Sequence, residues 1–276
     1  MTQSSVLAKL LTVVGAAVAA MALLAPAVSA AEPAEGYEQF AGCPTKAESA
    51  ESNECIRSDI TGGHINMGNK EVPITKTVTV VGGTNGKFEN FTYNSEGGLI
   101  AEPQKVPGGV IGLTGLTWLL EFFGSEALTL YADPELAGVP TEFNFNSVTF
   151  PLKFHLTNPA GLLGNTCYIG SDSEPITLKL TTGTTEPPPP NEPITGKEPK
   201  LSFDALGIIH LDEGIYVDNS FAAPGVNGCQ LVLFGFIPIS INGLIDETSE
   251  LPSPAGTNEA VQEFSLEFVA REKVYP

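Results

Sequence analysis

Strict alternation of apolar and polar residues is the feature that most narrows what this chain can become. Val148, Phe150, Leu152, Phe154 and Leu156 share one parity, and Thr149, Lys153 and His155 fall on the other. Successive side chains of a strand point to opposite faces, so this run specifies a strand with one buried face. Ile176, Leu178 and Leu180 repeat the pattern against Thr177, Lys179 and Thr181, and Phe264, Leu266 and Phe268 repeat it against Ser265 and Glu267. Phe143 and Phe145 sit in the opposite parity to Val148 and Phe150, which predicts a bulge or bend near Ser147.

Shorter strands are predicted at 64–67, 70–74, 77–81, 88–94, 201–204, 207–211 and 215–218. Gly68-Asn69 reads as a tight hairpin turn between the first two, and Asp212-Glu213-Gly214 as a turn between the last two. Helix is minor. Residues 113–123 place Leu116, Leu119, Leu120 and Phe123 on one helical face, with Trp118 inside the same apolar run, which reads as core. Single turns are expected at 134–137 and 258–263. About ten short strands, separated by segments rich in the chain's 29 glycines and 22 prolines, predict a mainly β fold. The expected architecture is an antiparallel, β-sandwich-like single domain over 31–276, with one short helix and long Pro/Gly-rich loops.

One such loop spans 183–200 around four consecutive prolines, Pro187 to Pro190, which favour an extended path and cannot enter a sheet interior. Four cysteines allow three pairings. Cys43–Cys55 and Cys167–Cys229 are favoured, and the second would hold the chain together across the proline segment, making it a surface loop of one domain rather than a linker. No C-x-x-C spacing occurs, which disfavours zinc.

Disulfides imply an oxidising compartment, and residues 1–30 supply the route. Lys9 precedes an uncharged apolar run over 10–24, and Ala27-Val28-Ser29-Ala30 forms a small-residue cleavage stretch, so a secretory signal peptide is expected. Cleavage after Ala30 removes one of 13 basic residues and none of the 32 acidic ones, leaving 12 − 32 = −20. Such a chain lacks the basic face that nucleic acid or an anionic membrane requires. Residues 110–123 and 231–245 are apolar but too short or too interrupted to span a bilayer, and read as buried core. A soluble protein, secreted or held at the cell surface, is the expectation.

Motifs for chemistry are sparse. The G-x-S-x-G elbow, H-E-x-x-H and the EF-hand loop are all missing. His64, His155 and His210 lie in predicted strands without a nucleophile or acid at a telling spacing. Asp204, Asp212, Glu213 and Asp218 cluster in sequence, as a glycosidase pair would, yet 32 acids make such a cluster ordinary and Trp118 is the sole tryptophan for a sugar platform. His210-x-Asp212, Asp172 and Glu174 are the best metal-ligand candidates, and Asn90-Phe91-Thr92 is an N-glycosylation pattern. None of these is assigned a catalytic, cofactor or metal role; the assigned residues are the disulfide cysteines Cys43, Cys55, Cys167 and Cys229.

Several landmarks together resemble a family of uncharacterised secreted proteins of high-GC actinobacteria. They are Phe40-Ala41-Gly42-Cys43-Pro44, Gly68-Asn69-Lys70-Glu71-Val72-Pro73-Ile74, Cys167-Tyr168-Ile169-Gly170-Ser171 and Thr181-Thr182-Gly183-Thr184 with its prolines. Val217-Asp218-Asn219-Ser220-Phe221 and Leu251-Pro252-Ser253-Pro254-Ala255-Gly256 complete the set. The resemblance implies a bacterial, exported protein and brings no activity or site residue with it. The expected function is therefore non-enzymatic: structural, cell-surface or ligand-binding, toward a cell-envelope or extracellular ligand. A secreted hydrolase with a site assembled from distant residues is the alternative. An envelope-inserted β-barrel is a second one, disfavoured because only 148–156 approaches the ~9–11 residues that a spanning strand needs.

Overall fold

Each long strand buries one parity and turns the other outward, and from this the rest of the architecture follows. The computed structural model describes residues 31–276 except 88, 145, 234 and 235. The expected signal peptide at 1–30 lies outside the described residues. Glu32–Pro276 form one compact unit.

In chain order the strands are β1 (Glu54–Met67), β2 (Lys70–Pro73), β3 (Val78–Thr84), β4 (Gly98–Ala101), β5 (Gln104–Lys105), β6 (Tyr131–Leu136), β7 (Ser147–Thr157), β8 (Tyr168–Ile169) and β9 (Ile176–Thr181). They continue as β10 (Lys200–Phe203), β11 (Ile209–Asp218), β12 (Val226–Asn227), β13 (Gln230–Leu233), β14 (Ile237–Ser240) and β15 (Glu259–Ala270). Helices α1 (Gly109–Thr114) and α2 (Leu119–Ala127) lie between β5 and β6, α3 (Asn242–Ser249) between β14 and β15, and α4 (Arg271–Val274) after β15.

The fold is mainly β and antiparallel, a sandwich-like single domain. Its spine runs β6–β7–β9–β11–β15–β1–β3–β4. That sheet curls until β4 faces β6 across a seam with no ladder between them. The buried parities of β1, β3, β6, β7, β9, β11 and β15 converge on one core inside the curl. A second, smaller core gathers Phe40, Ile208, Val269 and Val274 around the Cys43–Cys55 bridge. The Cys167–Cys229 bridge also forms, beside the short β8–β12 ladder, and ties together the chain on either side of the proline segment. Cross-linking loops of these lengths stabilises by roughly 3 and 4 kcal/mol in the chain-entropy picture.

Several expectations are corrected. Residues 134–137 and 258–263 are not helical turns: 134–136 belong to β6 and 259–263 to β15. The two strands predicted at 207–211 and 215–218 are one, β11, and Asp212-Glu213-Gly214 is a bulge within it rather than a turn. Glu213 takes a left-handed conformation there (φ 59°). The strand predicted at 88–94 is absent among the described residues, where Thr92 makes a single bridge to Gly83; Phe88 itself lies outside them. The bend near Ser147 is a turn closed by Asn144 N–H donating to Ser147 O.

The single helix expected over 113–123 is two, broken at Gly115 (φ 70°). The break turns Trp118, Leu120 and Phe122 outward, with Phe122 71% exposed, so Trp118 is not core. The stretch 231–245 is core only in part: Leu231, Ile241 and Ile245 are buried, while β13 and β14 form a hairpin on which Phe236, Ile237 and Ile239 are exposed. Among the described residues no helix is long and apolar enough to cross a membrane.

More strands than 148–156 reach the length a membrane-spanning strand needs. β1, β7, β11 and β15 run 14, 11, 10 and 12 residues. Their apolar parity faces the core, while Arg57, Asp59, Lys153, His155, Glu263 and Glu267 occupy the other face. A membrane barrel needs the apolar face outward.

Residues 183–200 run over the surface but are folded rather than free. Thr184 bridges Thr195 and Lys197 bridges Ile215. Asn191 Nδ2 donates to the carbonyls of Asn219 and Asn258, pinning the proline turn to the ends of β11 and β15.

Candidate functional site

The inner faces of the curled sheet do not close completely. They leave a cavity of about 70 Å³ whose walls are almost entirely apolar. Ile65 and Met67 of β1, Val80 of β3, and Phe150, Leu152 and Leu156 of β7 build its sides. Leu113 at the end of α1 and Leu251 just past α3 also line it. Thr248, whose hydroxyl donates to Leu113 O, ties α3 to α1, and Ser249 O, which accepts Asn69 N–H, ties α3 to the β1–β2 turn.

Four polar side chains line this space: Lys70, Gln104, Ser249 and Gln262. Gln104 is fully engaged. Its Oε1 accepts from the amides of Thr75 and Lys76, and its Nε2 donates to the carbonyls of Lys76 and Glu102, stitching β5 to the β2–β3 connection. Gln262 Oε1 and Ser249 Oγ are buried with no partner among the described residues. The reason at Gln262 is local. It occupies the core parity of β15, between Ala260 and Phe264, opposite Gly63 of β1, which offers no side chain. Its other neighbour, Tyr216, is stacked on Phe264 with ring centroids 3.7 Å apart. Burial pushes the Tyr216 hydroxyl well above the usual phenol range.

Lys70 reaches the cavity because it pairs with Met67 and so shares the inward face, as Val72 does with Ile65. Its ammonium has no ion-pair partner among the described residues. A wider cleft of about 420 Å³ follows the β4–β6 seam, and Leu99 and Pro134 line both cleft and cavity. At these two side chains the interior comes nearest to solvent along the seam.

The residues singled out from sequence lie elsewhere. His64 Nε2 sits 3.1 Å from Glu259 on the outer face. His155 stacks on Tyr168 with centroids 4.4 Å apart, beside Glu135, Lys153 and Asp172. The 2.7 Å bond to Asp172 raises the Lys153 pKa. His210 lies between Glu267 at 3.1 Å and Asp204 at 3.5 Å; its partners are these and not Asp212. The four clustered acids disperse. Asp204 caps the turn before β11, Glu213 pairs with Lys197 and Lys200, and Asp218 is buried, accepting from Lys179 N–H and from Ser220. Hydrogen bonds from Lys200 and then Lys197 hold the Glu213 carboxyl below its usual range.

Glu174 N–H closes a turn onto Ser171, and Asn90 is exposed with its amide on Glu51. Among the described residues no three His, Cys, Asp or Glu side chains gather as a metal site would require.

Sequence reading missed Gln262, Ser249 and Lys70. For Gln262 a signal existed: a polar residue in phase with Phe264, Leu266 and Phe268 is a polar residue on a core face. Ser249 and Lys70 carried none, since their placement depends on how α3 and the β1–β2 hairpin meet. No protein-family model, no curated protein and no solved structure matches this chain.

Proposed function

We propose that this is an exported, non-enzymatic binding protein that holds a small amphiphile inside its curled sheet. The observation that carries the reading is the pair of unpartnered polar atoms, Ser249 Oγ and Gln262 Oε1, in residues lining a mostly apolar cavity. Leaving one buried polar group unsatisfied costs about 1–3 kcal/mol, and of the six such side-chain atoms among the described residues these two belong to residues that line the cavity. A ligand with an apolar body and a polar end offsets that cost. The dispersal of the histidines and clustered acids onto separate outer-face contacts supports binding over hydrolysis. The sequence pattern of 1–30 and the two disulfides support export.

The cavity, about 70 Å³, is roughly half the size of one that holds benzene, which leaves space for about three carbon atoms. Burying three carbons at ~0.8 kcal/mol each predicts a Kd on the order of tens of millimolar for 1-propanol. Titration followed by NMR shifts should show one saturable site. Ala132→Leu, which extends a wall residue into the void, should weaken binding at least tenfold while the protein keeps its melting transition. Equal affinity in both proteins would overturn the reading.

A further inference from the structure

We infer that the free edge of β10 pairs with the same edge of a second copy of this chain, in a weak two-fold antiparallel contact centred on Ser202. The inference concerns the outer surface and is independent of what the interior holds.

Among the described residues nothing covers this strand. β10 bonds β11 along one side only, and all four of its residues are exposed. Leu201 and Phe203 share the parity of Leu211 and Ile209, yet they stand 59% and 68% exposed. A lone exposed apolar residue is ordinary. Two alternating ones on an unpaired edge make a template to which another strand adds.

The backbone decides which groups that edge offers. Asp204 N–H donates to Ile208 O, continuing the register that pairs Lys200 with Asp212 and Ser202 with His210. Hydrogen-bonded and non-bonded pairs alternate along an antiparallel ladder. The even-numbered residues therefore bond β11, and Leu201 and Phe203 turn their N–H and C=O groups to the free edge.

Of the antiparallel self-pairings confined to β10, one uses all four of these groups. It sets Leu201 opposite Phe203 of the second copy and Phe203 opposite Leu201, with a two-fold axis at Ser202. That register lays each Leu201 side chain beside a Phe203 ring and brings each Lys200 opposite the second copy's Asp204. Lys200 already touches Glu213, and Asp204 lies 3.5 Å from His210 of its own chain. An ammonium has three donors, so Lys200 can serve both acids. The segment is thus complementary to itself in backbone, apolar contact and charge.

Two features limit the strength of the contact. β10 is short and follows Pro199, and a strongly acidic chain repels its own copies. The interface falls below the ~1,200–2,000 Å² of stable complexes, and a Kd on the order of 0.1 mM is expected. The ordinary alternative is that the same two features keep the edge unpaired.

Sedimentation equilibrium of the exported protein in 0.15 M salt, from tenfold below that Kd to severalfold above it, should show mass rising from monomer toward dimer. Leu201→Pro removes an outward N–H that β11 does not use, and an edge strand tolerates proline there. It should weaken association at least tenfold while the melting transition is kept. Two cysteine variants read the register. Ser202→Cys faces its own copy in a non-hydrogen-bonded pair, with Cα atoms about 4.5 Å apart, so oxidation should link the dimer. Lys200→Cys, on the same face, leaves the thiols four residues apart, about 13 Å, and should cross-link at least tenfold more slowly. Both cysteines replace exposed side chains, so they report the register even if Leu201→Pro folds poorly. A mass that stays monomeric throughout would overturn the inference. So would unchanged association of folded Leu201→Pro, or Lys200→Cys cross-linking as fast as Ser202→Cys.

Discussion

Gln104 and Gln262 are the same side chain in opposite circumstances, and the contrast is the clearest residue-scale evidence for a functional interior. Both are buried and both line the cavity. Gln104 uses both ends of its amide to close the sheet, whereas Gln262 Oε1 has no partner among the described residues. Replacing each with leucine should therefore move stability in opposite directions. Gln262→Leu removes an unsatisfied group and should stabilise the ligand-free protein by about 1 kcal/mol. For a domain of this size that is about 2–4 °C in Tm. Gln104→Leu strips two amide donors and two carbonyls of their partner and should destabilise by about 2 kcal/mol or more. Urea denaturation of the two variants checks both signs. A Gln262→Leu protein less stable than wild type would mean that the amide is satisfied in solution and does not await a ligand.

At the scale of elements, legibility followed periodicity. β7 was readable because five apolar residues alternate without interruption, and its burial follows that parity from Ser147 to Thr157. β11 was not readable as one strand, because Asp212-Glu213-Gly214 carries the composition of a turn. At the bulge Gly214 packs against Phe264, and an added Cβ would lie 2.4 Å from two of its ring carbons. Gly214→Ala should cost about 1–3 kcal/mol by overpacking, readable as a lower midpoint in the same denaturation experiment. A neutral effect would mean that β11 and β15 adjust freely, and the stacked Tyr216–Phe264 pair with them. β15 was half readable. Its Phe264, Leu266 and Phe268 declared themselves, but Gln262 broke the apolar pattern and the first half passed for a turn. The residue that hid the strand is one that lines the cavity. The apolar run at 113–123 misled for a different reason: Gly115 breaks the helix, and the second half turns its aromatic side chains outward.

For the whole molecule, the sequence made clear that the fold is β-rich and antiparallel; of three possible disulfide pairings it favoured Cys43–Cys55 with Cys167–Cys229, the pair that forms. What it did not reveal is closure. A chain of alternating strands buries one face whether it folds as two flat layers or as a single sheet curled on itself, and only the curl leaves a void lined by facing walls. The order β6–β7–β9–β11–β15–β1–β3–β4 mixes early and late strands, so no local pattern predicts that β4 returns to β6. The site depends on that return. The central claim, that a small amphiphile enters the interior, is tested most directly by methyl NMR with labelled Ile, Leu and Val during titration with 1-propanol. The account predicts saturable shifts at the interior methyls of Ile65, Val80, Leu113, Leu152 and Leu156. Shifts confined to the exposed methyls of Leu120, Leu201, Ile237 and Ile239, with the interior unmoved, would contradict it.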